Sequence, residues 1–169
     1  MGFPKPEEAA AYYSTYIDRI SGDSIVDALE SQLQTTTAVL SGISEEKSLH
    51  RYVPDKWSIR AVLSHVNDTE RVFSFRAFWF ARGFSDAMPS FDQNVSANAA
   101  RADEYPWAGH VQEFQKIRLA TLALFRDLPA EAWTRKGVAS GNSVTVNALA
   151  YIIAGHVAHH IAILQERYL

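Results

Sequence analysis

The histidine pair His156 and His160 forms the clearest chemical pattern in the sequence. Residues 148–164 around the pair are mostly apolar and predict one helix. At about 100° per residue, both histidines fall in the middle of the apolar stripe of that helix, one turn apart. A buried imidazole without a partner costs free energy, and two imidazoles spaced i, i+4 on a helix can bind one metal ion. The pattern therefore favours a metal site.

Two other interpretations of this pair are open. Both rings could be core histidines that hydrogen-bond to backbone carbonyls or carboxylates, or the pair could arise by chance in a histidine-rich helix. His159 shows that the helix accepts a third histidine. Because His159 falls at the edge of the apolar stripe, we predict that it lies at the rim of the site and binds no metal.

His65 and Asp68 lie in an earlier helix, which we predict over residues 58–82 with Ser58 as its N-cap. His65 flanks the apolar face of that helix, and a lone histidine there is typical of a satisfied or half-exposed side chain. Asp68, three residues later, could accept a hydrogen bond from the His65 ring and so orient it. A surface ion pair between Asp68 and Arg71 is an equally good interpretation.

The segment of residues 83–107 is long and irregular and contains two prolines. Segments of this length are usually functional lids or carry short helices of their own. Within it, Asp92 stands between Phe91 and Gln93, and this polar group beside an aromatic ring could fold over a cleft. Asp92 is therefore a candidate catalytic residue, with Asp68 as a second candidate. Simple turn formation is the alternative for Asp92, since aspartate favours turns.

The composition of the 169 residues is that of a globular domain, with 47% hydrophobic and 21% charged residues and a net charge of −3. This length predicts one domain over residues 1–169. The charge, with no basic stripe, gives no reason to expect nucleic acid. No stretch of about 18 apolar residues and no signal-peptide core are visible, so we expect no membrane span and a cytoplasmic location.

The chain contains no cysteine. Disulfides, thiolate ligands and a cysteine nucleophile are therefore excluded. Any metal must be held by histidine, aspartate, glutamate or water, and any thiol chemistry must use a bound small molecule.

Helical periodicity predicts four long amphipathic helices and a shorter helix at the start of the chain. The predicted helices cover residues 7–19, about 23–40, 58–82, about 108–128 and 148–164. Residues 137–143 predict a turn, a short hairpin or a lid before the last helix. No convincing pair of strands is visible, so the predicted fold class is all-α, an antiparallel four-helix bundle.

Residues 73–80 place aromatic side chains on nearly every side of one helix. The aromatic residues are Phe73, Phe75, Phe78, Trp79 and Phe80. Such a helix either is deeply buried or faces a partner chain on one side. We predict a symmetric homodimer that buries part of this surface. The alternative is a satellite core under the long segment.

Several short motifs together resemble the DinB-like (DinB/YfiT) superfamily. The residues that carry the resemblance are Trp57-Ser58-Ile59-Arg60, His65, Asp68-Thr69-Glu70-Arg71, Phe91-Asp92-Gln93 and His156-Val157-Ala158-His159-His160-Ile161. The similarity runs from about Asp23 to Leu169. Each motif is weak alone, and it is their order and spacing that make the resemblance specific.

This resemblance implies an antiparallel four-helix bundle of DinB/YfiT type with up-down-down-up connectivity. It also implies a divalent metal bound by one histidine of the second bundle helix and a His-xxx-His pair of the last, roles that fall on His65, His156 and His160. Three imidazoles leave positions for water or substrate, as catalytic sites do, and suit zinc, nickel, iron or copper. Members of the superfamily are often dimers, and they include S-transferases and isomerases that use thiols such as bacillithiol or mycothiol.

The leading hypothesis is a divalent-metal-dependent enzyme that activates a thiol or water nucleophile toward a small-molecule substrate, as a thiol-dependent S-transferase or a hydrolase. A basic pocket would favour an anionic thiol, and Arg76, Arg82 and Arg101 are candidates for it. One alternative is a non-catalytic, stress-associated protein that binds a metal or another ligand. The other is a bundle whose histidines are merely structural.

Overall fold

The computed structural model describes residues 2–22 and 24–169, which are mostly helical. The helices are α1 Ser14–Ile17, α2 Ile25–Ser41, α3 Ile59–Ala81, α4 Gln93–Ala100, α5 Trp107–Arg126 and α6 Val146–Arg167. Two strands, β1 Lys136–Ala139 and β2 Asn142–Thr145, precede α6. The start predicted for the second helix, Asp23, lies outside the described residues.

Three of the long helices begin at a hydroxyl residue that acts as N-cap, which is Ser24 for α2, Ser58 for α3 and Thr145 for α6. Ser58 accepts a hydrogen bond from the backbone N–H of Ala61 at 3.0 Å, and Thr145 accepts one from Ala148 at 3.0 Å. Each cap satisfies an N–H group that the first helical turn leaves unpaired. The predicted start of α3 at Ser58 is confirmed, and α3 ends just before Gly83, whose φ is 87°.

Contacts along α3 and α5 show that these helices run in the same direction. The Asn67 side chain donates to the carbonyl of His110 at 3.2 Å, and further along both helices Arg118 donates to Glu70 at 2.8 Å. Partners that advance together along both helices define a parallel pair. A long connection, which includes α4, is what allows two helices adjacent in sequence to run the same way.

The other two long helices run opposite to this pair. Trp107 at the start of α5 donates to the carbonyl of Leu40 at the end of α2. Further along α5, Arg118 donates to the carbonyl of Leu29, which lies near the start of α2. The end of α3 packs against β1, just before α6 begins. The directions of α2, α3, α5 and α6 are therefore up, down, down and up, as the resemblance implied.

The last helix is the centre of the core, because every residue of α6 from Val146 to Val157 is buried. Helices α1, α2 and α3 pack against it. By length and composition α6 could cross a membrane, but 67% of its most apolar 18-residue stretch is buried inside the bundle. Its apolar character is therefore that of a core helix.

The hairpin is a departure from the strictly all-α prediction. β1 and β2 pair antiparallel, with Ala139 opposite Asn142. The two residues between them, Ser140 and Gly141, have φ values of 53° and 77°, as a type I′ turn requires. Four-residue strands are too short to produce a clear two-residue periodicity, so the sequence indicated only a turn or hairpin here.

The segment before α2 forms short turns and the one-turn helix α1, not the single helix predicted over residues 7–19. Its last part packs against α6 at Gly155, where a Cβ atom would lie 2.0 Å from the carbonyl oxygen of Tyr16. Glycine at this position therefore permits the close approach of the N-terminal segment to the helix that carries His156.

The segment of residues 83–107 carries a short helix of its own, as its length suggested. Helix α4 begins after Asp92, whose Oδ1 accepts hydrogen bonds from the N–H groups of Asn94 at 2.8 Å and Val95 at 3.1 Å. α4 packs against α3. This contact holds the start of α4 beside the helix that carries His65.

Candidate metal centre

Three histidine rings converge between α3 and α6. Nε2 of His65 lies 3.1 Å from Nε2 of His156, and Nε2 of His156 lies 3.1 Å from Nε2 of His160. One nitrogen from each ring lies within 4.8 Å of the others. His65 and His156 are buried, and His160 is half-buried. The structure thus brings together the three residues singled out from the sequence, and metal binding by them stays a prediction.

Helix geometry and aromatic rings hold these three side chains. His156 and His160 project from successive turns of α6, and His65 meets them from the antiparallel helix α3. The Trp57 ring lies 5.1 Å from the His65 ring, and the Tyr16 ring lies 5.3 Å from the His156 ring, in an edge-on arrangement. These neighbours limit the rotation of the imidazoles and exclude water from their sides.

Burial keeps all three rings neutral at pH 7. Desolvation lowers the pKa of His65 to about 4. Desolvation, assisted by the nearby His65, lowers the pKa of His160 to about 3. The pKa of His156 falls well below its usual value for the same reason, with the neighbouring rings adding to the effect. A neutral imidazole offers the lone pair that a metal ligand needs.

The far side of the His65 ring contacts Thr69, not Asp68. Oγ1 of Thr69 lies 3.3 Å from Nδ1 of His65, so the hydroxyl can accept an N–H there and leave the Nε2 lone pair directed at the cluster. Asp68 instead accepts hydrogen bonds from Arg71 at 3.2 Å and Ser96 at 2.7 Å. Of the two interpretations of Asp68, the structure shows the surface ion pair, because the residue four positions after His65 covers its ring.

His159 lies beside the cluster and not in it. Its ring centroid is 5.1 Å from that of His160 and 5.5 Å from that of Tyr16. Its Nδ1 is buried and has no hydrogen-bond partner in the described part of the chain. This placement agrees with the position at the edge of the apolar stripe.

A cavity of about 150 Å³ extends from His65 and His156 toward the surface. Its wall comes from four separate parts of the chain: Tyr12, Tyr13 and Tyr16 before α2, Thr69, Phe73 and Arg76 on α3, Phe91 and Gln93 at the start of α4, and Ser140 in the hairpin turn. Tyr12 and Gln93 are exposed, so the cavity reaches solvent. The site can therefore admit a small molecule.

Asp92 stands next to this cavity without lining it. Its carboxylate caps α4, and its neighbours Phe91 and Gln93 form part of the cavity wall. The segment thus supplies a wall, as its length and polar groups suggested, but through the residues on either side of Asp92. A catalytic role for Asp92 stays a prediction, and the geometry gives it the indirect task of positioning those two neighbours.

The donor set of the cluster fits a divalent metal ion. Two nitrogens bound at about 2.1 Å to one ion lie about 3.0 Å apart in cis octahedral geometry and about 3.4 Å apart in tetrahedral geometry. The 3.1 Å separations fall in this range. Among the described residues no carboxylate joins the three histidines, which leaves positions for water or substrate. Three imidazole donors suit zinc, nickel or iron.

Of the three arginines considered from the sequence, Arg76 lines the cavity. Arg82 lies over the ring of Phe78 at 5.5 Å, and Arg101 donates to Glu104 at 2.7 Å, both away from the histidines. Of these three, Arg76 alone brings a positive charge to the cavity wall.

Sequence reasoning missed the tyrosine wall. Tyr12, Tyr13 and Tyr16 lie within five positions, a local density that was the available signal. No periodic pattern connects them with His156, because the contact depends on the tertiary packing of the N-terminal segment at Gly155. The hairpin residue that lines the cavity was missed for the same reason.

These features define a class of protein: a four-helix bundle with a three-histidine cluster, suited to a metal ion, at the base of an open cavity. The chain belongs to the DinB superfamily, which it matches over residues 28–164. A search of curated proteins finds no match.

Two solved structures share the fold. YfiT from Bacillus subtilis, described as a "probable metal-dependent hydrolase with an unusual four-helix bundle topology", has a TM-score of 0.70 and 15% identity over 96% of this chain and 89% of that chain. A mycothiol-dependent maleylpyruvate isomerase has a TM-score of 0.66 and 14% identity over 81% of this chain and 58% of that chain. At such identities, the likeness shows the fold alone.

Proposed function

We propose that this protein is a divalent-metal-dependent enzyme that activates a thiol or water nucleophile, with His65, His156 and His160 as the metal ligands. The observation that carries the proposal is the convergence of three neutral imidazoles, with ring nitrogens within 4.8 Å of one another, at a cavity open to solvent that His65 and His156 line. Structural metal sites are usually closed by four protein ligands, whereas catalytic sites keep a position for water or substrate.

The surroundings of the cluster support catalysis. A divalent ion held there would lower the pKa of a thiol or water molecule beside it and so supply a nucleophile at neutral pH. Thr69 orients the His65 ring, and the Tyr16 ring shields His156 from water. Burial raises the pKa of Tyr13 and of Tyr16, so both hydroxyls stay protonated and can donate hydrogen bonds to a substrate.

Both versions of the nucleophile use the same site. Because the chain has no cysteine, a thiol would have to be a low-molecular-weight compound. The isomerase that shares the fold is described as mycothiol-dependent, and YfiT is described as a probable hydrolase, so the neighbours offer one precedent for each version. The cytoplasm, where small thiols are kept reduced, is the compartment we propose.

Metal content tests the ligand assignment. Wild-type protein incubated with zinc, nickel or iron and then desalted should retain about one ion per chain by elemental analysis. His156→Ala should retain none, whereas His159→Ala should retain the wild-type amount. The second variant is a matched control, because it removes the same side chain from the same helix. Equal metal loss from both variants, or full retention by His156→Ala, would contradict the assignment.

A substrate screen tests the enzyme proposal. The metal-loaded protein is offered a panel of small thiols with an aromatic electrophile, and separately a panel of small esters and amides. Thiol-dependent thioether formation would identify a transferase, and thiol-independent cleavage would identify a hydrolase. Tight metal binding without turnover of either panel would overturn the enzyme proposal in favour of a non-catalytic binding protein.

We also propose that two chains form a homodimer through the exposed part of the aromatic cluster. Phe73 and Phe80 are buried in the bundle, whereas Phe75 and Phe78 are 51% and 37% exposed and line a groove with Ile117. Exposed apolar patches of this kind mark interaction surfaces. Light scattering should give about twice the chain mass of 18.9 kDa, and Phe75→Ser should reduce it to one chain. A wild-type monomer at micromolar concentration would contradict the dimer.

A further inference from the structure

The cavity above the histidines contains a cation whose role the metal proposal does not explain. Arg76 is 4% exposed and lines the same cavity as His65 and His156. Its Nη2 donates to the carbonyl of Pro89 at 2.7 Å and to Oγ of Ser140 at 3.2 Å. These two contacts fix one edge of the guanidinium group. The group has five N–H donors, so most of its donor capacity is left over.

Within residues 2–22 and 24–169, Arg76 forms no ion pair with a carboxylate. The Nε and Nη1 atoms of Arg76 donate no hydrogen bond to these residues. The other two buried arginines behave differently. Arg60 pairs with Glu45, and Arg118 pairs with Glu70 at 2.8 Å. A buried charge without a counter-ion is costly, so natural proteins retain one where an anion binds.

The surroundings of Arg76 are suited to a small organic anion. The Phe73 ring lies 5.6 Å below the guanidinium carbon and supports it by a cation–π contact. The Tyr13 hydroxyl is near enough to interact electrostatically with the guanidinium group, and Phe91 lines the same cavity. Although burial lowers the pKa of Arg76, a guanidinium group keeps its proton in proteins, so the cavity retains a positive charge.

We propose that Arg76 is the anion anchor of the cavity and binds the carboxylate of a small, flat organic acid whose other end lies toward His65 and His156. The planar guanidinium fork matches a carboxylate in a two-point contact. A cavity of about 150 Å³ holds a molecule of about the size of benzene. The anion site stands independently, and only the direction of the reacting end rests on the proposed function.

The first test compares benzoate with benzamide, which has nearly the same shape and no charge. Affinities are measured by ligand-observed NMR with wild-type protein, once in the presence of EDTA and once loaded with zinc. We expect benzoate to bind about tenfold more tightly than benzamide in both conditions, because a charge-assisted pair replaces a neutral one. Equal affinities for the two probes would overturn the proposal. A preference that disappears with EDTA would also overturn it, because a metal ion and not Arg76 would then hold the carboxylate.

The second test assigns the preference to the side chain. Arg76→Gln should lose the preference for benzoate, and Arg76→Lys should retain a weaker one, since an ammonium group lacks the planar fork. Arg82→Gln is the matched control and should behave as the wild type. A full preference in folded Arg76→Gln would place the anion site elsewhere and overturn the proposal.

The two proposals can fail separately in these experiments. If the wild type retains no metal but still prefers benzoate in EDTA, the anion anchor stands and the metal-dependent function fails. If the protein binds zinc through the histidines and shows no preference for benzoate, the anchor fails and the metal site stands.

Discussion

Two buried polar clusters each contain one residue of α3, and they differ in how their polar groups are paired. Glu70 receives two hydrogen bonds from Arg118, both at 2.8 Å, and the third guanidinium nitrogen donates to Gln32 at 2.7 Å. The chain itself therefore satisfies this ion pair. The ring nitrogens of His65 and His156 that face the cavity have only imidazole partners, and the cavity beside them is open.

This difference gives a way to distinguish polar groups that stabilise a core from polar groups suited to bind a ligand: the chain itself supplies the partners of the first kind. The side chain of Gln32 also donates to the carbonyl of Ala154 at 2.8 Å, so the ion-pair network ties α2, α3, α5 and α6 together. Such a network is closed, and the loss of either Glu70 or Arg118 leaves a buried charge unpaired. The histidine cluster is neutral, so the loss of one ring leaves no charge behind.

The largest expected effect is on the ion pair of Glu70 and Arg118. Arg118→Leu should lower the free energy of unfolding by about 3–5 kcal/mol, because Glu70 is left buried without a partner. Replacing both residues with leucine should recover most of that loss. Arg126→Leu, which breaks an exposed pair with Glu30, is the control and should cost less than about 1 kcal/mol. Urea unfolding measures all of these, and equal losses at Arg118 and Arg126 would remove the distinction between the clusters.

Metal removal should have the next largest effect on stability and should act on the histidine cluster alone. With zinc at about a hundred times its dissociation constant, the folded wild type gains about 2.7 kcal/mol over protein in EDTA. His160→Ala should show no such gain, because the ligand set is incomplete. The measurement is urea unfolding with and without zinc. A zinc-dependent gain in His160→Ala equal to that of the wild type would show that the ion binds elsewhere.

Acid should weaken the metal-free protein through the same histidines. In the folded chain burial holds the pKa of His65 at about 4 and that of His160 at about 3, against about 6.5 in the unfolded chain. Between these values the unfolded chain binds more protons, so stability is fully present above pH 6.5 and falls as the pH is lowered. From pH 6.5 to 5 we expect these two groups together to cost about 3 kcal/mol.

The control for this pH effect is His65→Gln, measured by urea unfolding across the same range in EDTA. Its stability should fall less steeply, since one titrating group is gone. A pH dependence identical to that of the wild type would mean that His65 is not a buried neutral ring.

The smallest expected effect is at Asp92, next to the cavity. Asp92→Ala removes the N-cap of α4 and should cost about 1 kcal/mol or less, with metal content unchanged. Because Phe91 and Gln93 line the cavity, substrate affinity or turnover should also fall. Hydrogen exchange should rise over α4, and unchanged exchange there would contradict the capping role.

The histidine cluster could be predicted from the sequence because its information is local. The spacing of His156 and His160 on an apolar stripe needs only the geometry of one helix, and the family pattern then adds His65. The ion pair of Glu70 and Arg118 could not be predicted in this way, since charged residues on a helix usually face water. Their burial depends on how three helices meet.

The fold was predictable to a similar extent. The four long helices followed from periodicity, and Ser58 marked the start of α3. The hairpin was too short to recognise as strands. Arg76 could not be distinguished from Arg82 or Arg101, because the three differ in tertiary contacts and not in local pattern.

The close contact between Tyr16 and Gly155 has a consequence for how this protein could diversify. The three tyrosines of the cavity wall precede residues 28–164, the part shared with the superfamily, whereas all three histidines lie within that part. One part of the cavity wall thus lies in a stretch of sequence separate from the one that carries the histidine cluster and the rest of the wall. Exchange of the segment that carries Tyr12, Tyr13 and Tyr16 with that of a relative should change which molecules enter the cavity, while the histidine cluster is kept intact.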